Sequence, residues 1–89
     1  MISNIALTNA AQEYALLLPR GTRSYRLRLR EAAAMRVAET EGATLASSYF
    51  TIASGTVLAV DDIDVIEAGG RTLWLRCPSQ AATAEVFSW

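Results

Sequence analysis

Apolar and polar residues alternate with a period of two along much of the chain, which is the pattern of β-strands with one buried face. The clearest case runs from residue 24 to residue 30. One side of this stretch is apolar and the other is polar: Tyr25, Leu27 and Leu29 against Ser24, Arg26, Arg28 and Arg30. Because a helix would scatter the arginines around its axis, the alternation predicts a strand with an arginine stripe (Arg26, Arg28 and Arg30) facing solvent.

The other apolar stretches are short and are separated by turn residues, as in an all-β domain. The predicted strands span residues 2–7, 13–18, 49–52, 56–60, 72–76 and 84–89, with Ile63, Val65 and Ile66 returning to the core after an acidic break. The predicted turns are residues 19–22, 53–55 and 69–70, which contain proline, glycine or both. Seven or eight short strands predict an antiparallel β-sandwich or a jelly-roll-like barrel.

Residues 31–41 fit two secondary structures. The run has high helix propensity, and Gly42 is suited to end a helix. As a strand, it places Met35 and Val37 toward the core and Arg36 toward solvent. We predict a strand, because the surrounding pattern is β and propensity yields to context.

Size and hydrophobicity together predict association. The chain has 89 residues, the size of one domain, which we expect to span residues 1–89. A domain this small buries only about 60% of its unfolded surface, so its core is thin. Yet 52% of the residues are hydrophobic and the mean hydropathy is +0.21. We therefore expect some apolar side chains to lie in contacts between chains, in a homo-oligomer or a larger assembly.

The composition argues against catalysis. The chain has no histidine, so the usual general base and the commonest metal ligand are missing. Its one cysteine, Cys77, has no histidine to activate it and no second cysteine for an internal disulfide. We expect no enzyme activity and no cofactor. A single cysteine, no recognisable secretory signal and no apolar run of ~18 residues predict synthesis in the cytoplasm without a membrane span.

Charge is strongly segregated along the sequence. Residues 20–36 contain six arginines and one acid, and residues 37–70 contain six acids and no base. One interpretation is that the arginine stripe of one chain binds the acidic segment of the next, or an acidic partner, with Asp61, Asp62 and Asp64 as the acidic candidates. The other is that both are solvated faces or pair within one chain, where surface ion pairs contribute little.

Two other roles for these charges fit the sequence poorly. The stripe would space its arginines about 7 Å apart, which suits phosphates, but the net charge is −1 and Tyr25 lies on the opposite face. Nucleic-acid binding is therefore a minor alternative. The acids at 61, 62, 64 and 67 lack the glycine and glutamate spacing of a calcium-binding loop, so no metal site is predicted.

The large aromatic residues near the C-terminal end have two interpretations. Trp74, Phe87 and Trp89 fit the core of two neighbouring strands, which is the ordinary place for such side chains. Alternatively, Trp89 is an interface anchor, because aromatic rings are enriched at the centres of protein contacts.

The order of these features resembles a known group of proteins. A first strand leads to residues 14–22 (YALLLPRGT), followed by the arginine strand, Met35-Arg36-Val37-Ala38, residues 49–56 (YFTIASGT), an acidic step, a Leu-Trp-Leu strand and the terminal EVFSW. This layout resembles the small β-sandwich virion proteins of tailed bacteriophages, of the capsid decoration (cement) and head-fibre type. The alanines at residues 32–34 depart from it.

The resemblance implies a structural role without catalytic residues. Proteins of this kind lie on the outside of the capsid, often as trimers, and clamp neighbouring subunits of the major capsid protein. It therefore implies a virion protein on the capsid surface that forms a homo-oligomer, with a trimer favoured. Its partner would be the major capsid protein or another virion protein, and the arginine stripe is the candidate contact. A tail, neck or receptor-binding component with the same fold is the alternative.

Overall fold

The computed structural model describes residues 1–61 and 70–89, and these two ranges form eight β-strands. The strands are β1 (Ile2–Leu7), β2 (Tyr14–Leu18), β3 (Tyr25–Leu29), β4 (Met35–Ala38), β5 (Phe50–Ile52), β6 (Leu58–Val60), β7 (Arg71–Arg76) and β8 (Ala82–Ser88). The one helical element in these ranges is a 3-10 turn, η1 (Ala43–Leu45). No helix in them is long and apolar enough to cross a membrane.

The strands form two antiparallel four-stranded sheets. The front sheet has the order β1-β8-β3-β6, and the back sheet has the order β2-β7-β4-β5. Most strands that follow one another in sequence lie in different sheets, and β4 and β5 are the consecutive pair that shares one. This strand order is that of an eight-stranded jelly roll, so the predicted antiparallel β-sandwich is confirmed.

The alternation seen in the sequence decides which side chains form the core. In β2 Leu16 and Leu18 are buried while Leu17 is exposed, and in β3 Leu27 is completely buried. The two sheets enclose a single cluster of apolar side chains, whose most deeply buried members are Leu7, Leu18, Leu27, Met35, Leu75, Cys77 and Ala84. Burial of each leucine side chain stabilises the fold by about 1.5–3 kcal/mol, so the sandwich depends on this layer.

Glycine is needed where the backbone turns sharply. Between β2 and β3 the Thr22 N–H donates to the Pro19 carbonyl at 3.2 Å, and Gly21 has φ 89°, as in a type II turn. Gly70, just before β7, has φ 72°, and a Cβ there would lie 2.7 Å from the Leu18 carbonyl oxygen. A side chain at residue 70 would therefore be strained by both backbone conformation and space.

The structure answers the open points of the sequence analysis. The strand predicted for residues 31–41 is confirmed only at residues 35–38; the residues on either side of it form bends and turns, and no helix forms between residues 31 and 41. The assignment of Trp74, Phe87 and Trp89 to the core is wrong, because Phe87 and Trp89 are about half exposed and Trp74 is only half-buried, outside the core cluster. The strand β8, which contains Phe87 and ends just before Trp89, lies in the other sheet from β7, which contains Trp74, so the two strands are not neighbours. The predicted return of Ile63, Val65 and Ile66 to the core, Glu67, and Gly69 of the predicted hairpin lie outside the described residues.

Candidate protein-binding surface

Strand β3 places the arginine stripe on the outer face of the front sheet. Because side chains alternate along a strand, the burial of Tyr25 and Leu27 turns Arg26 and Arg28 outward. The register with β8 then sets their neighbours, since Arg26 lies opposite Phe87 and Arg28 lies opposite Glu85. The stripe is thus extended and solvent-facing, as the alternation predicts.

Two arginines of the stripe hold one carboxylate of β8. Arg28 Nε donates to Glu85 Oε1 at 2.9 Å, and Arg30 Nε donates to Glu85 Oε2 at 3.2 Å. The hydrogen bond from Arg28 is the largest cause and lowers the pKa of Glu85. Desolvation opposes it, but the hydrogen bond from Arg30 and the charges of both arginines add to the lowering, so the pKa lies below its ordinary value. Glu85 is therefore ionised at neutral pH and fixes both guanidinium groups across the sheet.

The third arginine of the stripe has a carboxylate and an aromatic ring as partners. Arg26 donates from both terminal nitrogens to Asp61, at 3.0 and 3.3 Å, which is a bidentate ion pair. The same guanidinium lies over the Trp89 ring, 5.1 Å from its centroid, in a cation–π contact. Arg26 therefore connects the charged and aromatic parts of the surface.

An apolar patch lies beside the stripe. Its members are exposed side chains of β1, of the segment before β6, of β8 and of the residue after it: Ile2, Val57, Phe87 and Trp89. Phe87 and Trp89 meet edge to face, with 5.3 Å between ring centroids, and are 48% and 53% exposed. A shallow groove of about 330 Å³ runs between Ile2, Phe87 and Arg28. Exposed aromatic residues in contact with an arginine are typical of protein-binding sites, where both residue types are enriched.

The outer face of the back sheet also carries arginines, but the chain covers them. Arg36 in β4 lies directly opposite Arg76 in β7, and both donate to the Thr44 carbonyl, at 3.3 and 3.5 Å. Arg36 also lies over the Tyr49 ring, 4.4 Å from its centroid. The turn η1 therefore lies over this like-charged pair, and Thr44 is completely buried.

A carboxylate anchors that turn. Glu13 accepts hydrogen bonds from the Gly42 N–H at 2.7 Å, from the Thr44 N–H at 3.1 Å and from the Thr44 hydroxyl. Desolvation pushes the pKa of Glu13 upward, but these hydrogen bonds, together with the charge of Arg76, outweigh it, and the pKa lies below its ordinary value. Glu13 is thus a structural group of the back sheet.

The structure brings together only part of the predicted interaction set. The stripe meets Asp61 within the same chain, and Trp89 joins them, whereas Asp62 and Asp64 lie outside the described residues. The stripe is also held by Glu85, which the sequence analysis did not single out. A phosphate would have to displace these carboxylates from the stripe, which disfavours nucleic acid as its ligand.

The outward position of two residues of the surface, Glu85 and Phe87, has a signal in the sequence. In the stretch from Ala82 to Ser88, side chains alternate between two sides, and Glu85 and Phe87 lie on the same side as Thr83. The residues on the other side are small or aliphatic, apart from Ser88. The phase of the alternation therefore puts Phe87 on the polar, outward side of its strand.

Candidate metal ligands and the single cysteine are dispersed in the described part of the chain. No cluster of three candidate metal ligands occurs there. Cys77 is buried, with its Sγ 3.9 Å from the Ser79 hydroxyl. A second groove, of about 540 Å³, is lined by Tyr25, Tyr49 and Phe50 among others, and Glu39 is its one carboxylate.

The described residues define a small jelly-roll β-sandwich whose front sheet carries an open apolar surface framed by arginines. No protein-family model matches the chain, no curated protein is significantly similar to it, and no solved structure matches it. Its function is therefore inferred from the fold and from this surface.

Proposed function

We propose that this protein is a non-enzymatic structural component of a bacteriophage virion, a capsid decoration protein that binds a capsid or other virion protein through the outer face of its front sheet. The observation that carries the proposal is a difference in exposure between the two sheets. Phe87 and Trp89 stay exposed beside the arginine stripe, while Arg36 and Arg76 of the back sheet are half-buried beneath η1. The layout of the strands and turns, and the jelly roll that is common in viral capsid domains, support the virion setting.

The chemistry of the front surface suits a protein partner. Asp61 and Glu85 already hold the guanidinium groups of the stripe in place, so docking loses little side-chain freedom there. The three arginines and two carboxylates nearly cancel in charge, so the partner need not be strongly acidic. Burial of Phe87 and Trp89 then supplies the larger part of the affinity, as aromatic anchors do at contact centres.

The virion role is tested on particles from the host that carries this gene. Particles are purified by density gradient, and their proteins are quantified by mass spectrometry. We expect the chain in the particle band at a copy number comparable with that of the main shell protein. Its absence from particles that are otherwise complete would overturn the proposal.

The docking surface is tested with particles that lack the protein, to which purified variants are added. We expect Phe87→Ser with Trp89→Ser to weaken binding more than tenfold, because each change removes an exposed aromatic anchor. Leu17→Ser is the matched control, since Leu17 is an exposed apolar residue of the back sheet, and it should bind like the wild type. Equal binding by the double variant and the control would remove the front surface from the proposal.

A receptor-binding role in the phage tail is the second candidate. It is favoured by the groove on the front surface, where Phe87 lies beside the polar groups of Asn4, Arg28 and Glu85. An aromatic ring next to hydrogen-bonding groups also suits a sugar. Binding to a glycan array that is lost in Phe87→Ser would favour this role, and no binding to any glycan would exclude sugar recognition.

A further inference from the structure

The outer edge of β1 is the least protected sheet edge in the described residues. β1 has six residues, whereas the other edge strands have five in β2 and three each in β5 and β6. Long edges are usually protected by a charge or a proline, and the sequence ISNIAL has neither. The edge of β2, by contrast, is flanked by Glu13 and Pro19.

The hydrogen bonds between β1 and β8 show which backbone groups face this open edge. The Ser88 N–H donates to the Met1 carbonyl at 2.8 Å, so these two residues form a hydrogen-bonded pair. Bonded and non-bonded pairs alternate along an antiparallel ladder, so the odd-numbered residues of β1 bond to β8. The N–H and C=O groups of Ile2, Asn4 and Ala6 therefore point away from the sheet.

We propose that this edge pairs with the β1 edge of a second copy of the chain, antiparallel, about a twofold axis beside Asn4. In this register Asn4 lies opposite Asn4 of the partner subunit, and Ile2 lies opposite Ala6 of the partner subunit. All outward-facing backbone N–H and C=O groups of β1 then form hydrogen bonds with those of β1 in the partner subunit. The two front sheets become one continuous sheet that carries both front surfaces on the same side.

The side chains of β1 support this register. Ile2, which is 69% exposed, gains Ala6 of the partner subunit as its neighbour, and Ala6 is itself exposed. β1 carries no charged side chain, so identical strands meet without repulsion. Each copy has one such edge and the pairing is isologous, so the assembly closes at two chains.

The pairing is tested on the purified protein by native mass spectrometry and sedimentation, without particles. We expect the wild type to be a dimer of the 9.6 kDa chain. Asn4→Lys places two like charges opposite each other at the twofold axis and should weaken the dimer roughly tenfold. A mixture of Asn4→Lys and Asn4→Asp should form a mixed dimer, because the charges now attract. Leu17→Lys adds a charge to the edge strand of the other sheet and should leave the dimer intact.

Three results would overturn the pairing. A wild-type monomer at about 100 µM means that the edge does not associate, and a trimer means that another surface is used. A dimer that is broken by Leu17→Lys but not by Asn4→Lys assigns the contact to the β2 edge. None of these results depends on whether the protein is present on virus particles. Phe87→Ser should also leave the dimer unchanged. The failure of the pairing and the failure of the proposed function are therefore distinguishable.

The register is tested by disulfide cross-linking. Opposed residues of a hydrogen-bonded pair have Cα atoms about 5.5 Å apart, which a disulfide can span. Asn4→Cys should therefore form a covalent dimer on mild oxidation. Ala6→Cys alone should not, because its equivalent on the partner subunit lies about 14 Å away, whereas a mixture of Ala6→Cys and Ile2→Cys should. Cross-linking of Ala6→Cys alone with none of Asn4→Cys would contradict the register.

Discussion

Arginines lie on the outer faces of both sheets, but their contacts differ between the two faces. On the back sheet, Arg36 and Arg76 face each other across β4 and β7, a repulsive arrangement that needs compensation. The chain compensates by laying η1 over them, so that both arginines donate to one carbonyl, that of Thr44. These arginines hold down a segment of their own chain, which leaves them half-buried.

On the front sheet Arg28 and Arg30 lie open in the described part of the chain, and only Arg26 is partly covered, by the Trp89 ring. Arg28 and Arg30 keep side-chain exposures of 58% and 54%, although Glu85 binds both. Their carboxylate partners orient them without burying them, and Phe87 and Trp89 stay exposed beside them. The difference shows that the presence of arginines alone does not make a binding surface. Which arginines a partner can contact depends on which of them other segments of the chain bury.

The largest difference between the two faces should appear when each anchoring carboxylate is removed. Glu13→Ala leaves the Gly42 N–H and the buried Thr44 groups without their acceptor, so we expect the free energy of unfolding to fall by about 2 kcal/mol. For a chain of this size that lowers Tm by roughly 10 °C. Thermal and urea unfolding measure both quantities.

Glu85→Ala is the matched change on the front sheet. It removes two ion pairs between exposed guanidinium groups and one carboxylate, and such pairs contribute little to stability. Its Tm should therefore fall much less than that of Glu13→Ala. Equal losses in the two variants would show that the front-sheet carboxylate is as structural as Glu13, and the contrast between the faces would fail.

A second, smaller difference should appear in the dependence of stability on pH and salt. Both Glu13 and Glu85 have a folded-state pKa below the ordinary value of 4.5. A carboxylate with such a lowered pKa stabilises the folded state at pH values above its ordinary pKa. This stabilisation is lost as the pH falls through the folded-state pKa. Urea unfolding between pH 6 and pH 3 should therefore show a shallower loss of stability in Glu13→Gln and in Glu85→Gln than in the wild type.

Salt should separate the two carboxylates. Glu85 is bound by charged, exposed guanidinium groups, whose attraction is screened at about 1 M NaCl, where the Debye length is about 3 Å. Glu13 is bound mainly by neutral N–H and hydroxyl donors. In high salt the effect of Glu85→Gln should disappear and that of Glu13→Gln should persist. Loss of both effects would mean that Glu13 depends on the charge of Arg76 instead.

The fold was predictable from the sequence because its determinants are local. Strict alternation from residue 24 to residue 30 predicts an extended chain with the arginines on one side, and the structure has this arrangement in β3, residues 25–29. Ser24, predicted on the polar side, is buried. Even residues 35–38, which have good helix propensity, form a strand because Met35 and Val37 are needed in the core. Strand order is not local, and the sequence left a sandwich and a barrel open.

The candidate site was less predictable because its contacts are distant in sequence. Arg28 and Glu85 are 57 residues apart, and they meet only because β3 lies next to β8. The same holds for Glu13 and Thr44, 31 residues apart, since η1 reaches Glu13 only after the back sheet forms. Charge segregation along the chain therefore revealed which charges exist but not which of them meet.

The smallest expected effect compares one aromatic ring on each face. Tyr49 lies under Arg36 and is half buried, so Tyr49→Ser should lower the free energy of unfolding by about 1 kcal/mol through the lost cation–π contact and packing. Phe87 packs mainly against the exposed Trp89 ring, so Phe87→Ser should change it by less than about 0.5 kcal/mol. Urea unfolding under identical conditions measures both. If Phe87→Ser is the more destabilising change, Phe87 stabilises the fold itself, and its exposure cannot be taken as reserved for a partner.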